Sequence, residues 1–127
     1  MQADGKTLYI YNCHLDVASQ TKRSDQLDAI MTDIIAVENP SYWILLGDFN
    51  TLTPADVTKL ESVATNNNAT LANGGYLGWL SSNKNDVAID NMICSQNVLI
   101  REYHILENWF NSLYSDHYPT YAILELI

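Results

Sequence analysis

The sequence has few basic side chains and no long apolar run. Lysine and arginine together number 6 against 15 aspartates and glutamates, which gives a formal net charge of −9. A protein this acidic has too few basic side chains to bind nucleic acid through them alone, and it needs metal cations if it handles phosphates. No stretch approaches the roughly 18 apolar residues that span a bilayer. Residues 1–6 are polar and lack the hydrophobic core of a signal peptide. We therefore expect no membrane span.

Cysteine is also scarce. Cys13 and Cys94 are the two cysteines, and neither belongs to a C-x-x-C unit or to a zinc-binding spacing. Both lie in apolar, strand-like surroundings, where a free cysteine is usually a small buried hydrophobe. We expect two core thiols, while a disulfide between them stays open.

What the sequence does have is enough apolar material for a core. Of its 127 residues, 47% are hydrophobic, and 8 tyrosines and 3 tryptophans supply large side chains. This length and composition predict a single folded unit, residues 1–127.

Apolar residues recur at helical spacing in some segments and at strand spacing in others. This mixture predicts an α/β fold with the helices early and most strands late. Strands are predicted over residues 7–11, 42–46, 87–94, 98–106 and 118–126. One helix is predicted to begin at Asp25 after an N-cap at Ser24 and to end at Pro40. A second follows Thr53, which stands as a hydroxyl cap before Pro54, and runs to about Ala64. The run 42–46 is continuously apolar, so it suits a strand buried on both faces.

Ionisable and amide residues recur where these strands begin or end. They are His14 and Asp16, Asp48 and Asn50, Asp90, and Asp116 with His117. Most residues of these types are structural or solvated when taken singly. Asp90 is different, because a carboxylate in a buried strand is costly without a partner. Two histidines, His14 and His117, are available to bind it.

Taken together, these residue types suit hydrolysis of a phosphate ester. A carboxylate fixes the tautomer of an imidazole and raises its basicity. An amide can hold a water or a phosphate oxygen, and carboxylates suit Mg²⁺ or Mn²⁺. An activated water would attack phosphorus while the metal and the imidazolium stabilise charge.

Four segments, in order, resemble the motifs of the endonuclease/exonuclease/phosphatase superfamily, the DNase I-like metal-dependent phosphohydrolases. Residues 12–16 resemble its "N-x-H-L" segment, 46–50 its "GDFN", 88–93 its "IDYI" and 115–119 its "SDHxP". Arg23 and Gln26 also stand where family members often carry R…Q. Each motif alone is weak, but four in order make chance agreement improbable.

The resemblance implies a role for each matching residue. His117 would be the general base or the imidazole that faces the phosphate, and His14 would contact the scissile phosphate. Asp48 and Asn50 would position the attacking water and a phosphate oxygen. Asp90 would orient a histidine, either His14 or His117. The residue implied at the metal is Asp116.

The resemblance also implies that much of the fold is missing. The superfamily fold is a four-layer α/β sandwich, and this chain resembles its C-terminal half: one mostly antiparallel sheet with flanking helices. The N-terminal half would supply the Glu that is the principal ligand of Mg²⁺ or Mn²⁺, and neither Glu38 nor Glu61 is placed to replace it. We therefore expect a fragment that is inactive alone and that pairs with the N-terminal half, or forms a homodimer, through its exposed sheet face.

Two other interpretations stay open: a half-fold kept without catalysis as a binding or interaction module, and an unrelated α/β domain with chance motifs. The phosphate-ester substrate, whether nucleic acid, phospholipid or a sugar or inositol phosphate, cannot be read from the sequence. Three aromatic residues are candidates for a substrate rim: Tyr76, Trp79 and Trp109. Secretion or a cell-envelope location is expected only if a signal peptide precedes the missing half.

Overall fold

A computed structural model describes residues 2–37, 41–73, 80–82, 87–107 and 113–127. Eight strands and two helices lie within these ranges: β1 (Gln2–Ala3), β2 (Lys6–Thr7), β3 (Tyr9–His14), α1 (Gln20–Ala36), β4 (Trp43–Asp48), α2 (Pro54–Asn66), β5 (Thr70–Leu71), β6 (Asp90–Cys94), β7 (Val98–Ile105) and β8 (Thr120–Leu126). Neither of these helices is long and apolar enough to cross a membrane.

The central sheet has four strands in the order β3-β4-β6-β5. β3 and β4 are parallel and are connected through α1, whereas β6 runs antiparallel to both β4 and β5. β7 and β8 form a separate antiparallel pair, as do β1 and β2. The α/β class and the mostly antiparallel pairing are thus confirmed, but the strands are divided among three sheets where one was expected. Ser95 directly follows β6, and its backbone N–H donates to Trp43 O, at the start of β4, at 3.0 Å.

β4 lies in the middle of the sheet, as its apolar sequence predicts. Ile44 and Leu45 are 3% and 0% exposed, and they contact different core clusters on the two faces. The helix-facing cluster contains side chains from both helices and from β4 and β6: Leu15, Leu27, Met31, Ile34, Trp43, Leu45, Phe49, Leu60, Val63, Ala64 and Ile93. The smaller cluster on the other face contains Leu8, Ile44, Cys94 and Val98. Cys13 and Cys94 are free thiols.

The prediction for the start of α1 is wrong. The helix begins at Gln20, and its N-cap is Ser19, whose hydroxyl accepts a hydrogen bond from Lys22 N. The first turn carries no apolar residue, and Arg23 is its inward-facing side chain. The apolar period therefore starts one turn after the helix does. α1 ends at Ala36, and Pro40 lies outside the described residues.

The prediction for α2 is confirmed. Thr53 is the N-cap, Pro54 is the first helical residue, and the Thr53 hydroxyl accepts from Asp56 N while the Asp56 carboxylate accepts from Thr53 N. This reciprocal capping box satisfies two of the backbone N–H groups that a helix start leaves unpaired.

Candidate active site

Three of the predicted site residues form one row across the central sheet. His14 is the register partner of Asp48, and Asp48 is the register partner of Asp90. The parallel strands β3 and β4 end at the same edge of the sheet, and the antiparallel β6 begins there. Because side chains alternate between the faces of a sheet, all three lie on the face opposite the helices. The sheet therefore brings together residues that are up to 76 positions apart in the sequence.

Asp90 binds His117 and not His14. His117 Nδ1 lies 2.7 Å from Asp90 Oδ2, which is a short hydrogen bond. An Nδ1–H that donates to Asp90 leaves Nε2 as the ring nitrogen available for chemistry. The geometry thus selects one of the two partners that the sequence left open.

Ser81 holds both members of this pair in place. Its hydroxyl accepts from Asp90 N at 2.9 Å, and its backbone oxygen accepts from Tyr118 N at 2.8 Å. Ser81 is fully buried. The sequence gives no signal for this role, since a serine next to a turn is usually solvent-exposed.

Asp48 stands between the two imidazoles. Its Oδ2 lies 3.5 Å from His14 Nε2 and 3.6 Å from His117 Nε2. Its Oδ1 accepts from Asn50 N at 2.8 Å. Burial raises the pKa of Asp48 above its usual value and the nearby charge of Asp90 adds to this, against the opposing effects of the Asn50 N–H and the two histidines.

His117 has a raised pKa. Burial alone would lower it, but the hydrogen bond that His117 donates to Asp90 and the negative charges of Asp90, Asp48 and Asp116 outweigh burial. The imidazole is therefore more readily protonated than a histidine in water.

Asn50 joins the two loops that leave the sheet at this edge. It is 5% exposed, has a positive φ of 47°, and donates from Nδ2 to Leu15 O at 2.7 Å. Leu15 N in turn donates to Asp48 O at 2.9 Å. The hydrogen bond to Leu15 O thus uses one side-chain N–H of Asn50 and leaves the other N–H and the side-chain oxygen outside it.

A cation could be held by Asp48, Asp90 and His117, whose ligand atoms lie within 4.8 Å of one another. Two ligands of one Mg²⁺ at about 2.1 Å are at most about 4.2 Å apart. The 3.6 Å between Asp48 Oδ2 and His117 Nε2 satisfies this limit. Carboxylate oxygens are the ligands that Mg²⁺ and Mn²⁺ prefer, so Asp48 and Asp90 are the members of this group whose chemistry suits such an ion.

Asp116 lies at the border of this group. Its Oδ1 is 3.9 Å from His117 Nε2, and its side chain is partly exposed. Glu61 is exposed on α2 and plays no part in the group. Four residues named from the sequence lie outside the described residues: Glu38, Tyr76, Trp79 and Trp109.

Comparisons with known proteins match the fold and not the sequence. No protein-family model and no curated protein matches. Among solved structures, a mannosyl-6-phosphatase of Bacteroides thetaiotaomicron superimposes with a TM-score of 0.68 at 18% identity, over 97% of this chain and 53% of that one. An endonuclease/exonuclease/phosphatase of Bacteroides vulgatus gives 0.69 at 22% identity, over 90% and 48%. A family protein of Leptotrichia buccalis gives 0.69 at 18%, over 99% and 52%.

These likenesses define the fold. The chain spans about half the length of the solved structures it matches. Its architecture is that of half of the DNase I-like α/β sandwich found in endonuclease/exonuclease/phosphatase proteins.

Proposed function

We propose that this chain carries the histidine-and-carboxylate part of a phosphoesterase site, which hydrolyses phosphodiester or phosphomonoester bonds with an activated water. The observation that carries the proposal is the arrangement of Asp90, His117 and Asp48, joined by the distances of 2.7 Å and 3.6 Å. An imidazole held by one carboxylate and aimed at another is suited to proton transfer.

The position of each residue then suits it to one role in the reaction. Asp90 holds Nδ1–H of His117, so Nε2 takes a proton from the attacking water or, once protonated, donates to a phosphate oxygen. Asp48 orients the water from between the two imidazoles. His14 has a largely exposed side chain, and from there it contacts the scissile phosphate. Asn50 supplies its remaining amide atoms to the same phosphate.

A phosphate ester at this site needs positive charge beside it. With a net charge of −9, and carboxylates at the centre of the site, the chain repels a phosphate ester. Asp48 and Asp90 would hold Mg²⁺ or Mn²⁺ beside His117, with Asp116 as a further ligand at the border of the group. When bound, such an ion polarises the phosphoryl oxygen and lowers the pKa of a coordinated water.

The sheet face that carries the site is partly uncovered. Ile10 on β3 is 48% exposed. Ile123 and Tyr121, 48% and 44% exposed, belong to the β7–β8 pair, which packs against part of this face through Leu124 and Leu126. A cavity of about 210 Å³ is lined in part by Leu46, Met92 and Tyr121. Such a surface is typical of an interface. We propose that the N-terminal half of the same fold covers it and completes the metal site.

Light scattering on the isolated chain tests whether this face is an interface that lacks its partner. A dimer that is lost in Ile10→Lys, or a monomer with strong dye binding to exposed apolar surface, supports an uncovered interface. A monomer that binds no such dye contradicts it. The same face also favours the second candidate function, a non-catalytic interaction module.

Hydrolysis separates the two functions. The natural polypeptide that carries this chain is incubated with bis-p-nitrophenyl phosphate and with p-nitrophenyl phosphate, with Mg²⁺, Mn²⁺ or a chelator. We expect cleavage that is lost with chelator and in His117→Ala. The matched control is His104→Ala, because His104 is also paired with a carboxylate, Glu102 at 2.9 Å, but lies on the β7–β8 pair outside the row. Absence of cleavage of both esters under all metal conditions would leave only the interaction module.

A further inference from the structure

A buried ion pair joins the two helices behind the site. The guanidinium of Arg23 on α1 donates to both carboxylate oxygens of Asp56 on α2, each at 2.8 Å. The two side chains are 4% and 6% exposed. The pKa of Asp56 is lowered, because the bonds from Arg23 and Thr53 outweigh the opposing effect of burial. Both groups are thus charged and fully engaged inside the protein.

Arg23 also binds the loop that follows β3. Its Nη1 donates to Asp16 O at 3.0 Å and to Val17 O at 3.1 Å. Gln26, one turn along the helix, accepts from Asp16 N at 2.9 Å. The start of α1 therefore holds residues 16–17, directly after His14 and Leu15, by three hydrogen bonds.

Asp56 binds the loop that follows β4. Its Oδ2 accepts from Leu52 N at 3.2 Å and from Thr53 N at 3.0 Å. That loop contains Asn50, whose backbone N–H donates to the Asp48 carboxylate. The ion pair is consequently attached at one end to the loop of His14 and at the other to the loop of Asp48 and Asn50.

We infer that Arg23 is a positioning residue, which fixes the loop after His14 relative to the loop after Asp48 and thereby sets the spacing of the candidate catalytic groups. The catalytic part of this inference rests on the proposed function. Its structural part does not, because the two loops are joined whatever reaction they serve.

The identity of the side chain matters to this role. The planar guanidinium of Arg23 donates four hydrogen bonds: two to the loop after β3 and two to Asp56, which in turn accepts from the loop after β4. A lysine has three N–H donors on one nitrogen and cannot span the same acceptors. Arg23→Lys therefore keeps the buried charge balanced but releases one of the loops.

A second ion pair between the same helices provides the control. Lys59 Nζ on α2 lies 2.5 Å from Asp28 Oδ1 on α1, with the aspartate side chain 65% exposed. It bonds to neither loop in any contact that the described residues show. Lys59→Ala therefore removes a link between α1 and α2 without releasing the site.

The experiment measures backbone amide exchange by NMR in the wild type, Arg23→Lys and Lys59→Ala. We expect the amides of Leu15 and Asn50, both bonded to Asp48, to exchange about tenfold or more faster in Arg23→Lys through local opening. The amide of Ile93, in the central strand β6, should be unchanged, and Lys59→Ala should leave all three unchanged. Equal acceleration at Ile93, or none at Leu15 and Asn50, would overturn the inference.

Activity is then measured on the natural polypeptide. Misplacing reacting groups by about 1 Å costs up to roughly a hundredfold in rate, so Arg23→Lys should lower kcat at least about tenfold with KM little changed. An unchanged kcat would refute the catalytic part. A wild type without hydrolysis would refute the proposed function, and amide exchange would still decide whether Arg23 fixes the two loops.

Discussion

Gly47 lies beside the site at a point where the backbone of β3 leaves no room for a side chain on β4. It pairs with Cys13, one residue before the pair formed by His14 and Asp48. Its φ is +136°, and a Cβ added there would lie 2.0 Å from Cys13 O, a backbone atom. No rotamer change can relieve that contact. Gly47→Ala therefore has to push the two strands apart.

The magnitude follows from two contributions. A non-glycine residue in this region of backbone conformation costs about 1–3 kcal/mol. Moving the strands apart by about 1 Å weakens two ladder hydrogen bonds, each contributing about 0.5–1.5 kcal/mol. We expect Gly47→Ala to lower the free energy of unfolding by about 2–6 kcal/mol, which is a large part of the stability of a domain this size.

Urea denaturation followed by circular dichroism measures the loss, and Gly5→Ala is the control. Gly5 also has a positive φ, +75°, but a Cβ there meets nothing within 4 Å. That variant carries only the backbone cost, about 1–2 kcal/mol. If Gly47→Ala costs no more than Gly5→Ala, the close approach of β3 and β4 is not as described.

Three further predictions concern stability and protonation. Thr53→Ala should lower the free energy of unfolding by about 1 kcal/mol, because it removes the N-cap of α2, and a urea titration in which it matches the wild type would contradict the capping box. Asp90→Asn should lower the pKa of His117, measured by NMR of the imidazole, because the main interaction that raises it is lost; an unchanged pKa would refute the pairing. His117 has a folded-state pKa above its unfolded value of 6.5, so its stabilisation is full below that value and is lost as pH rises through the folded pKa. His117→Gln should therefore show a smaller loss of stability than the wild type between about pH 6 and pH 9, and denaturation curves with equal losses would contradict this sign.

The local signals in the sequence predicted local structure well. The capping box around Thr53 and Asp56 lies within four residues, and it identified the start of α2 correctly. The position of the site residues at strand ends was also predictable, because the turn after β4 and the apolar run before it are both visible in the sequence. The start of α1 was missed because its first turn is polar, and the inward-facing residue there is an arginine.

The pairings that shape the site are non-local. Asp90 and His117 are 27 residues apart, and Arg23 and Asp56 are 33 apart. Which histidine Asp90 binds depends on the register of β6 against β4 and on how Ser81 holds the segment before Tyr118. The sequence indicates that a buried aspartate needs a partner, but the pairing of the strands determines which residue that partner is.

Paramagnetic broadening by Mn²⁺ tests the central claim most directly, because it detects weak binding to the chain as it stands. The NMR signals of Asp48, Asp90 and His117 should broaden first, and Asp48→Asn should abolish the effect. Asp28→Asn, an equal change of charge at an exposed site on α1, should leave it intact. Broadening spread over the acidic surface and equally sensitive to both substitutions would contradict a cation site at the strand ends.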